Sequence, residues 1–301
     1  MFLSGVAMKK YLIFLILCLS AGLQAQQIPM ISQYNLNHYS IIPAAAGATE
    51  GLPLTFIYRK QWSGINGSPS ASYLFGDINV GKSMGVGTKF YSYVAGPLRK
   101  TGLELTYSYH LELDDENILA LGLSGLIYQF HLKKSELTVE EPDDRVFDGT
   151  DHMVVPDASF GAYFYGERYY AGISVPQLFN RNIDMKTDGV LQEKQVRHYY
   201  ILGGYEFYLN RDFRIEPSLL LKFVEAGLFQ ADINARAKYK DMFILGLSYR
   251  SSESLVVQAG FRYEDIFVGY SYDFAISQIN TATFGSHEIL LTFGLPNFIR
   301  K

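Results

Sequence analysis

Between about Leu52 and Phe293 the chain alternates apolar and polar residues over many short segments. In the stretch 228–240, Phe229, Ala231, Ile233, Ala235, Ala237 and Tyr239 share one phase, and Gln230, Asp232, Asn234, Arg236 and Lys238 the other. Side chains along a strand point to opposite faces with period two, so each segment reads as a ribbon with one oily and one charged face. No helical periodicity interrupts the series. Such a ribbon crosses a membrane only when its sheet closes, because lipid offers no partner to an unpaired backbone edge. The alternation predicts an all-β fold, an up-and-down transmembrane β-barrel.

About fourteen antiparallel strands of roughly 9 to 13 residues can be placed, the length a tilted strand needs to span a bilayer. Their connections sort by parity. The even-numbered ones are short throughout: 79–83, 112–117, 166–167, 210–212, 240–241 and 264–265. Every long one is odd-numbered: 61–67, 132–156, 178–195 and 277–285. Odd and even connections of a meander lie at opposite ends, and bacterial barrels pair short periplasmic turns with longer outside loops. A soluble sandwich gives no reason for that sorting.

The two faces agree. Leu103, Leu105, Tyr107, Tyr109 and Leu111 oppose Glu104, Thr106, Ser108 and His110; Ile215, Leu219, Leu221 and Phe223 oppose Arg214, Glu216, Ser218 and Lys222. A charge on the lipid face at mid-bilayer costs roughly 2–4 kcal/mol, which assigns the charged faces to the lumen. The expected lumen set is Glu104, Glu216, Lys222, Asp232, Arg236, Lys238, Arg250, Arg262, Asp273 and Glu288. Mixed signs at close range favour ion pairs in a crowded interior over a single-sign conduction field. The stretch 119–131 is apolar on both faces, with small Ala120, Gly122 and Ser124 on one, and is expected where a loop packs into the barrel.

The ends bound the rest. Residues 1–25 read as a secretory signal peptide, with basic Lys9 and Lys10, an apolar run from Tyr11 to Leu19, and a cleavage site before Gln26. The chain's single cysteine, Cys18, lies in that leader. The mature part then has no disulfide, thiol nucleophile or thiolate ligand. Residues 26–301 read as one outer-membrane β-barrel domain, with 26–51 an N-terminal segment able to fold inside as a plug. Removing Lys9 and Lys10 takes the formal charge from -4 to -6. That balance argues against nucleic acid as a partner. Aromatic residues make up 15% of the chain, which suits the girdles of an outer-membrane barrel.

Motifs that suggest chemistry fail their context tests. Residues 76–83 match the phosphate-loop pattern G-x-x-x-x-G-K-S, but an alternating strand follows where the motif needs a helix N-terminus, so no nucleotide is expected. None of the six histidines has the i, i+4 partner of a helical zinc site. The acidic cluster Glu140, Glu141, Asp143, Asp144, Asp148 and Asp151 lacks the spacing of known calcium loops and reads as a solvated outside loop. Ser286 and His287 are neighbours on a strand, so their side chains diverge and cannot form a nucleophile–base pair. The reading names no catalytic, cofactor or metal site.

Five segments in order resemble the PorP/SprF family of outer-membrane proteins. Ile31-Ser32-Gln33-Tyr34-Asn35 and Ile42-Pro43-Ala44-Ala45-Ala46-Gly47 are similar to the family's opening, with Ile42 in place of its usual Asn and His38 where Pro is common. Tyr58-Arg59-Lys60-Gln61-Trp62 with Gly67-Ser68-Pro69 follows. Pro156-Asp157, Phe160-Gly161 and Tyr170-Ala171-Gly172-Ile173-Ser174 fit the middle, and Arg197-His198-Tyr199-Tyr200 with Gly204-Tyr205 continues it. Gly269-Tyr270-Ser271-Tyr272-Asp273 and Gly285-Ser286-His287-Glu288-Ile289 close it.

The resemblance implies a non-enzymatic component of type IX protein secretion and gliding motility, supporting export or surface attachment of secreted proteins. Implied partners, besides outer-membrane lipid, are other type IX secretion components or a secreted cargo or adhesin with a C-terminal sorting domain. The expected location is the bacterial outer membrane. The alternative reading is a porin or hydrophobic-solute channel; a third, an outer-membrane hydrolase, finds no support in the residues.

Overall fold

Each alternating segment pairs with its sequence neighbours, and the series returns to its start. The computed structural model describes residues 30–134, 150–179, 182–184, 192–194, 196–225, 227, 229–251 and 253–295. The expected leader and the acidic residues Glu140, Glu141, Asp143, Asp144 and Asp148 lie outside the described residues. The first strands are β1 (Leu52–Lys60), β2 (Ser70–Val80), β3 (Met84–Ala95), β4 (Leu98–Glu112) and β5 (Ile118–Lys133). Then come β6 (Thr150–Tyr165), β7 (Tyr169–Val175) and β8 (His198–Tyr205), the last continued by Phe207–Tyr208 beyond a break at Glu206. The remainder are β9 (Phe213–Val224), β10 (Phe229–Tyr239), β11 (Phe243–Arg250), β12 (Ser254–Tyr263), β13 (Ile266–Ala275) and β14 (Ser286–Leu295).

All neighbouring pairs are antiparallel. The pairing of β1 with β14, from Leu52 opposite Leu295 to Lys60 opposite His287, closes a fourteen-stranded barrel. The wall is continuous on the far side through β8 and β9. The connections 81–83, 113–117, 166–168, 209–212, 240–242 and 264–265 lie at one end, and all the long ones, 61–69, 134–149, 176–197 and 276–285, at the other. In the turn after β10, Lys240 and Asp241 take φ of 51° and 56°, and the Met242 amide donates to the Tyr239 carbonyl at 3.0 Å. Two left-handed residues in succession give the backbone twist that a tight hairpin needs.

Two connections differ from expectation. The long loop begins only after Lys133 and ends at Thr150, because β5 and β6 keep pairing past Ile127 opposite Pro156 as far as Lys133 opposite Thr150. A proline ends a ladder only where its missing N–H is required, and here the pairing runs through it. The connection 176–197 contains a small hairpin, Asn182–Asp184 paired with Gln192–Lys194.

The wall is inside-out relative to a soluble protein. Leu105 is 60% exposed on the outer surface and Leu247 64%, whereas Ser108, Asp232 and Glu288 are buried on the inner one. Such an apolar exterior suits lipid and not water. Aromatic rings mark both rims. Near the short turns Phe213, Tyr239, Phe243 and Phe261 form a row with centroids 4.8, 6.5 and 5.1 Å apart; near the other end Phe223 and Phe229 lie 5.1 Å apart. Rings of this kind settle at the headgroup level.

Candidate functional site: the segment inside the barrel and its receptor

The core of this molecule is the N-terminal segment. From Met30 to Ala48 the chain runs inside the barrel, from the long-connection half, beside Arg59 and Asp273, to the short-turn half, beside Asn79. Three short 3₁₀ turns, Tyr34–Leu36, His38–Ser40 and Pro43–Ala45, fold it compactly. Local chemistry explains them. The Asn37 side chain accepts from the Tyr39 amide at 3.0 Å, capping the second turn. Pro43 opens the third with its φ already set. Gly47, at φ 76°, then turns the chain toward β1.

Small wall residues make room. A Cβ at Gly122 would lie 2.3 Å from the Ala44 nitrogen, and one at Gly85 2.0 Å from the Ala46 carbonyl oxygen. The apolar stretch 119–131 is thus where a segment packs into the barrel, as its small residues predict, and that segment is the N-terminal one. Tyr34, Tyr39, Ile42, Ala44 and Ala46 are all essentially sealed from solvent.

Polar anchors reach the segment from around the wall. The amides of Ser32 and Gln33 donate to the two carboxylate oxygens of Glu288 at 2.8 and 2.9 Å. Ser32 Oγ–H donates to Asp273 at 2.8 Å, and the same oxygen accepts from Arg59 Nη1 at 2.8 Å. Gln258 Nε2 donates to the Ser32 carbonyl at 2.8 Å. Further along, Asn234 Nδ2 donates to the Tyr34 hydroxyl at 2.8 Å, and Tyr39 and Thr106 hydroxyls meet at 2.9 Å. His38 Nδ1 lies 2.8 Å from the Tyr163 hydroxyl, and Ser174 Oγ donates to the Ile41 carbonyl at 2.7 Å. At the short-turn end Ser108 Oγ donates to the Ala46 carbonyl at 2.6 Å, and the Gly47 amide donates to Asp77 at 2.8 Å.

The charges under this segment form a chain. Lys222 pairs with Asp232 (3.1 Å), Asp232 with Arg250 (3.3 Å), Arg250 with Asp273 (3.1 Å), Asp273 with Arg59 (2.7 Å), and Arg59 with Glu288 (3.4 Å). A second group, Glu216 with Arg236 and Lys238, and Glu206 with Lys238 and Arg214, lies toward the short turns. Buried ions persist only when paired and hydrogen-bonded. Here the partner of each charge is another strand or the segment itself.

The expected lumen charges are mostly where the alternation puts them. Glu104, Glu216, Lys222, Asp232, Arg236, Arg250, Asp273 and Glu288 are buried, and Lys238 is half-buried. Arg262 differs: it is exposed at the short-turn rim, its guanidinium 5.5 Å from the Phe267 ring. Sequence reasoning missed Arg59, Asp77 and Lys89 as lumen ions. Arg59 was legible, since it shares a phase with Thr55 and Ile57 against outward Leu54, Phe56 and Tyr58.

The discounted motifs find ordinary roles. Residues 76–80 end β2, 81–83 form a turn, and a strand follows, so the phosphate-loop context is missing. Ser286 Oγ accepts from the Trp62 amide at 3.1 Å, while His287 Nδ1 meets the Tyr270 hydroxyl at 2.7 Å. His110 joins Tyr165 and the Ala46 carbonyl.

A transmembrane barrel with an oily outer wall, an ionic lumen and an inserted N-terminal segment is an outer-membrane protein. The chain belongs to the PorP/SprF family of type IX secretion system membrane proteins, whose model matches residues 23–293. The sequence has no match among curated proteins. Among solved structures, the barrel is similar to the toluene transporter TbuX of Ralstonia pickettii, with 8% identity, 86% of this chain and 92% of that one covered, and a TM-score of 0.52. It is also similar to the monoaromatic hydrocarbon channel CymD, with 12% identity, 92% and 96% covered, and a TM-score of 0.51. At such identity the likeness concerns the fold alone. The five family-like segments meet in one place: the opening is the inserted segment, and Arg59, Gly172, Tyr200, Asp273 and Glu288 from the other four surround it.

Proposed function

We propose that this protein is a plugged, non-enzymatic scaffold of the secretion system, delivered to the outer membrane by a cleavable leader at residues 1–25. In this role it supports export or surface attachment of secreted proteins. The observation that carries the reading is the occupied lumen, whose segment is bonded to β1, β2, β4, β6, β7, β10, β12, β13 and β14. A barrel filled by its own chain and braced by paired charges suits a rigid platform better than a conduit. The long connections 134–149 and 176–197 are the proposed contact surface, because loops on a rigid frame commonly carry recognition. Their partner is another secretion component or a secreted cargo or adhesin with a C-terminal sorting domain.

Deleting the gene tests this directly: export of cargo, surface adhesins or gliding should fail, and the role is wrong if all three are unchanged. The second reading is a hydrophobic-solute channel. A largely apolar cavity between the segment and the wall favours it. Uptake of a small apolar solute into liposomes carrying the purified protein separates the two: the scaffold predicts none beyond protein-free liposomes and the channel predicts it, while a porin would show a large steady conductance in planar bilayers.

A further inference from the structure

Four of the six histidines are held by hydrogen bonds: His38 to Tyr163, His110 to Tyr165 and the Ala46 carbonyl, His198 to the Val196 carbonyl, and His287 to Tyr270. The other two face each other. His131 on β5 lies directly opposite His152 on β6, with ring centroids 6.0 Å apart and planes inclined by 27°. Neither ring has a hydrogen-bond partner among the described residues. The Lys133 amide donates to the Pro97 carbonyl on the β4 side, so by alternation His131 also turns its backbone groups toward β4 and away from β6. His131 and His152 therefore form a non-hydrogen-bonded pair, the kind in which opposing Cα atoms approach to about 4.5 Å and side chains come closest. Both stand on the outer face, in phase with Ile127 and Val154, which are 60% and 57% exposed. The other face carries buried Tyr128, Phe130, Leu132 and Val155, which hold the two strands in register. Because β7 pairs with β6 only from Phe160 onward, this part of the hairpin stands clear on that side, at the long-connection end.

Imidazole suits Zn²⁺, Cu²⁺ and Ni²⁺, and it coordinates through a ring nitrogen whose lone pair is not already engaged. Both rings keep such a nitrogen. Rotation about the side-chain torsions is enough to bring one nitrogen of each to about 2.0–2.1 Å from a shared ion. Ligands carried on two paired strands are already placed, so little freedom is lost on binding. No group of three or more His, Cys, Asp or Glu side chains occurs among the described residues, so water completes the coordination and the site is open. Arg99, opposite His131 on β4, is a neighbouring cation that opposes the ion. We propose that His131 and His152 together bind one divalent transition-metal ion, Cu²⁺ more tightly than Zn²⁺. The site rests on the register of β5 and β6 and not on the secretion role. Sequence spacing hides it, because a strand pair and not a helical turn brings the two residues together.

The test is calorimetry on the full mature barrel in detergent and an amine-free buffer, purified without a histidine tag and titrated with Cu²⁺, Zn²⁺ or Mg²⁺ alone. Cu²⁺ should bind saturably, at one ion per barrel and at least tenfold tighter than Zn²⁺, and Mg²⁺ should not bind. His131→Ala and His152→Ala should each weaken Cu²⁺ at least tenfold. His287→Ala, at a histidine already held by Tyr270, should leave it unchanged. Arg99→Gln removes the opposing cation and should tighten the ion; weakening there counts against the site. Undiminished binding by the double variant His131→Ala with His152→Ala would put the metal elsewhere and overturn the proposal. Electron paramagnetic resonance of the copper-loaded barrel should show two nitrogen ligands, and one or none also overturns it. Heat-dependent electrophoretic mobility verifies that every variant remains a folded barrel.

Discussion

Arg59 Nη2 and Asp273 Oδ2 lie 2.7 Å apart, although 214 residues separate them and a whole strand stands between theirs. Both side chains are 3% exposed, and Glu288 on the intervening strand completes the group. The guanidinium therefore spans the closure of the barrel and at the same time holds Ser32 of the inserted segment. Arg59→Met would leave two carboxylates buried with fewer cations. Breaking a buried pair by removing one partner costs roughly 3–5 kcal/mol. The variant should lose its compact electrophoretic form at a lower temperature than the parent, and Arg59→Met combined with Asp273→Asn should recover part of the loss.

The inserted segment is seated by shape as well as charge. Gly122→Val places a side chain where the Ala44 backbone now lies, its Cβ alone 2.3 Å from the Ala44 nitrogen. Backbone cannot yield there without leaving the wall, so the segment should be displaced. Planar-bilayer recordings should then show conductance absent from the parent. Leu247→Ala, on the outer surface, should remain silent.

One titration outside the spanning strands has a definite sign. In the turn 113–117 the Asp114 carboxylate accepts from the Asn117 side chain at 2.7 Å and from the Glu116 amide at 2.9 Å. The Asn117 amide first, and the Glu116 N–H next, hold its pKa below the usual carboxylate range. A folded-state pKa that is depressed gives stabilisation present above the unfolded value and lost as pH falls through the folded one. Carboxyl carbon resonances followed by NMR should place the Asp114 midpoint below that of an unstructured aspartate, and Asn117→Ala should move it upward.

Period two gave the strands, the faces and the sorting of the connections, because a lipid-facing barrel repeats one rule on every strand. It also placed Glu216, Lys222, Asp232 and Arg250 inside. What it could not give is who meets whom. Ser32 and Glu288 are 256 residues apart, and nothing local in either says that a backbone amide will satisfy that carboxylate. The inserted segment was legible only in outline, as a stretch over 26–51 able to plug the barrel: its 3₁₀ turns are too short to show periodicity, so which of its residues face which strand was not. Arg262 was misplaced because alternation fixes the side of a strand but not the depth along it.

The segment that fills the lumen is the earliest described stretch of the chain, whereas Asp273 and Glu288 ride on the final two strands. Ser32 therefore finds its full set of partners, Arg59, Gln258, Asp273 and Glu288, only where the last hairpin is paired with β1. Closure of the cylinder and seating of its amino-terminal stretch thus share one cluster of side chains, so a change at either is felt by both.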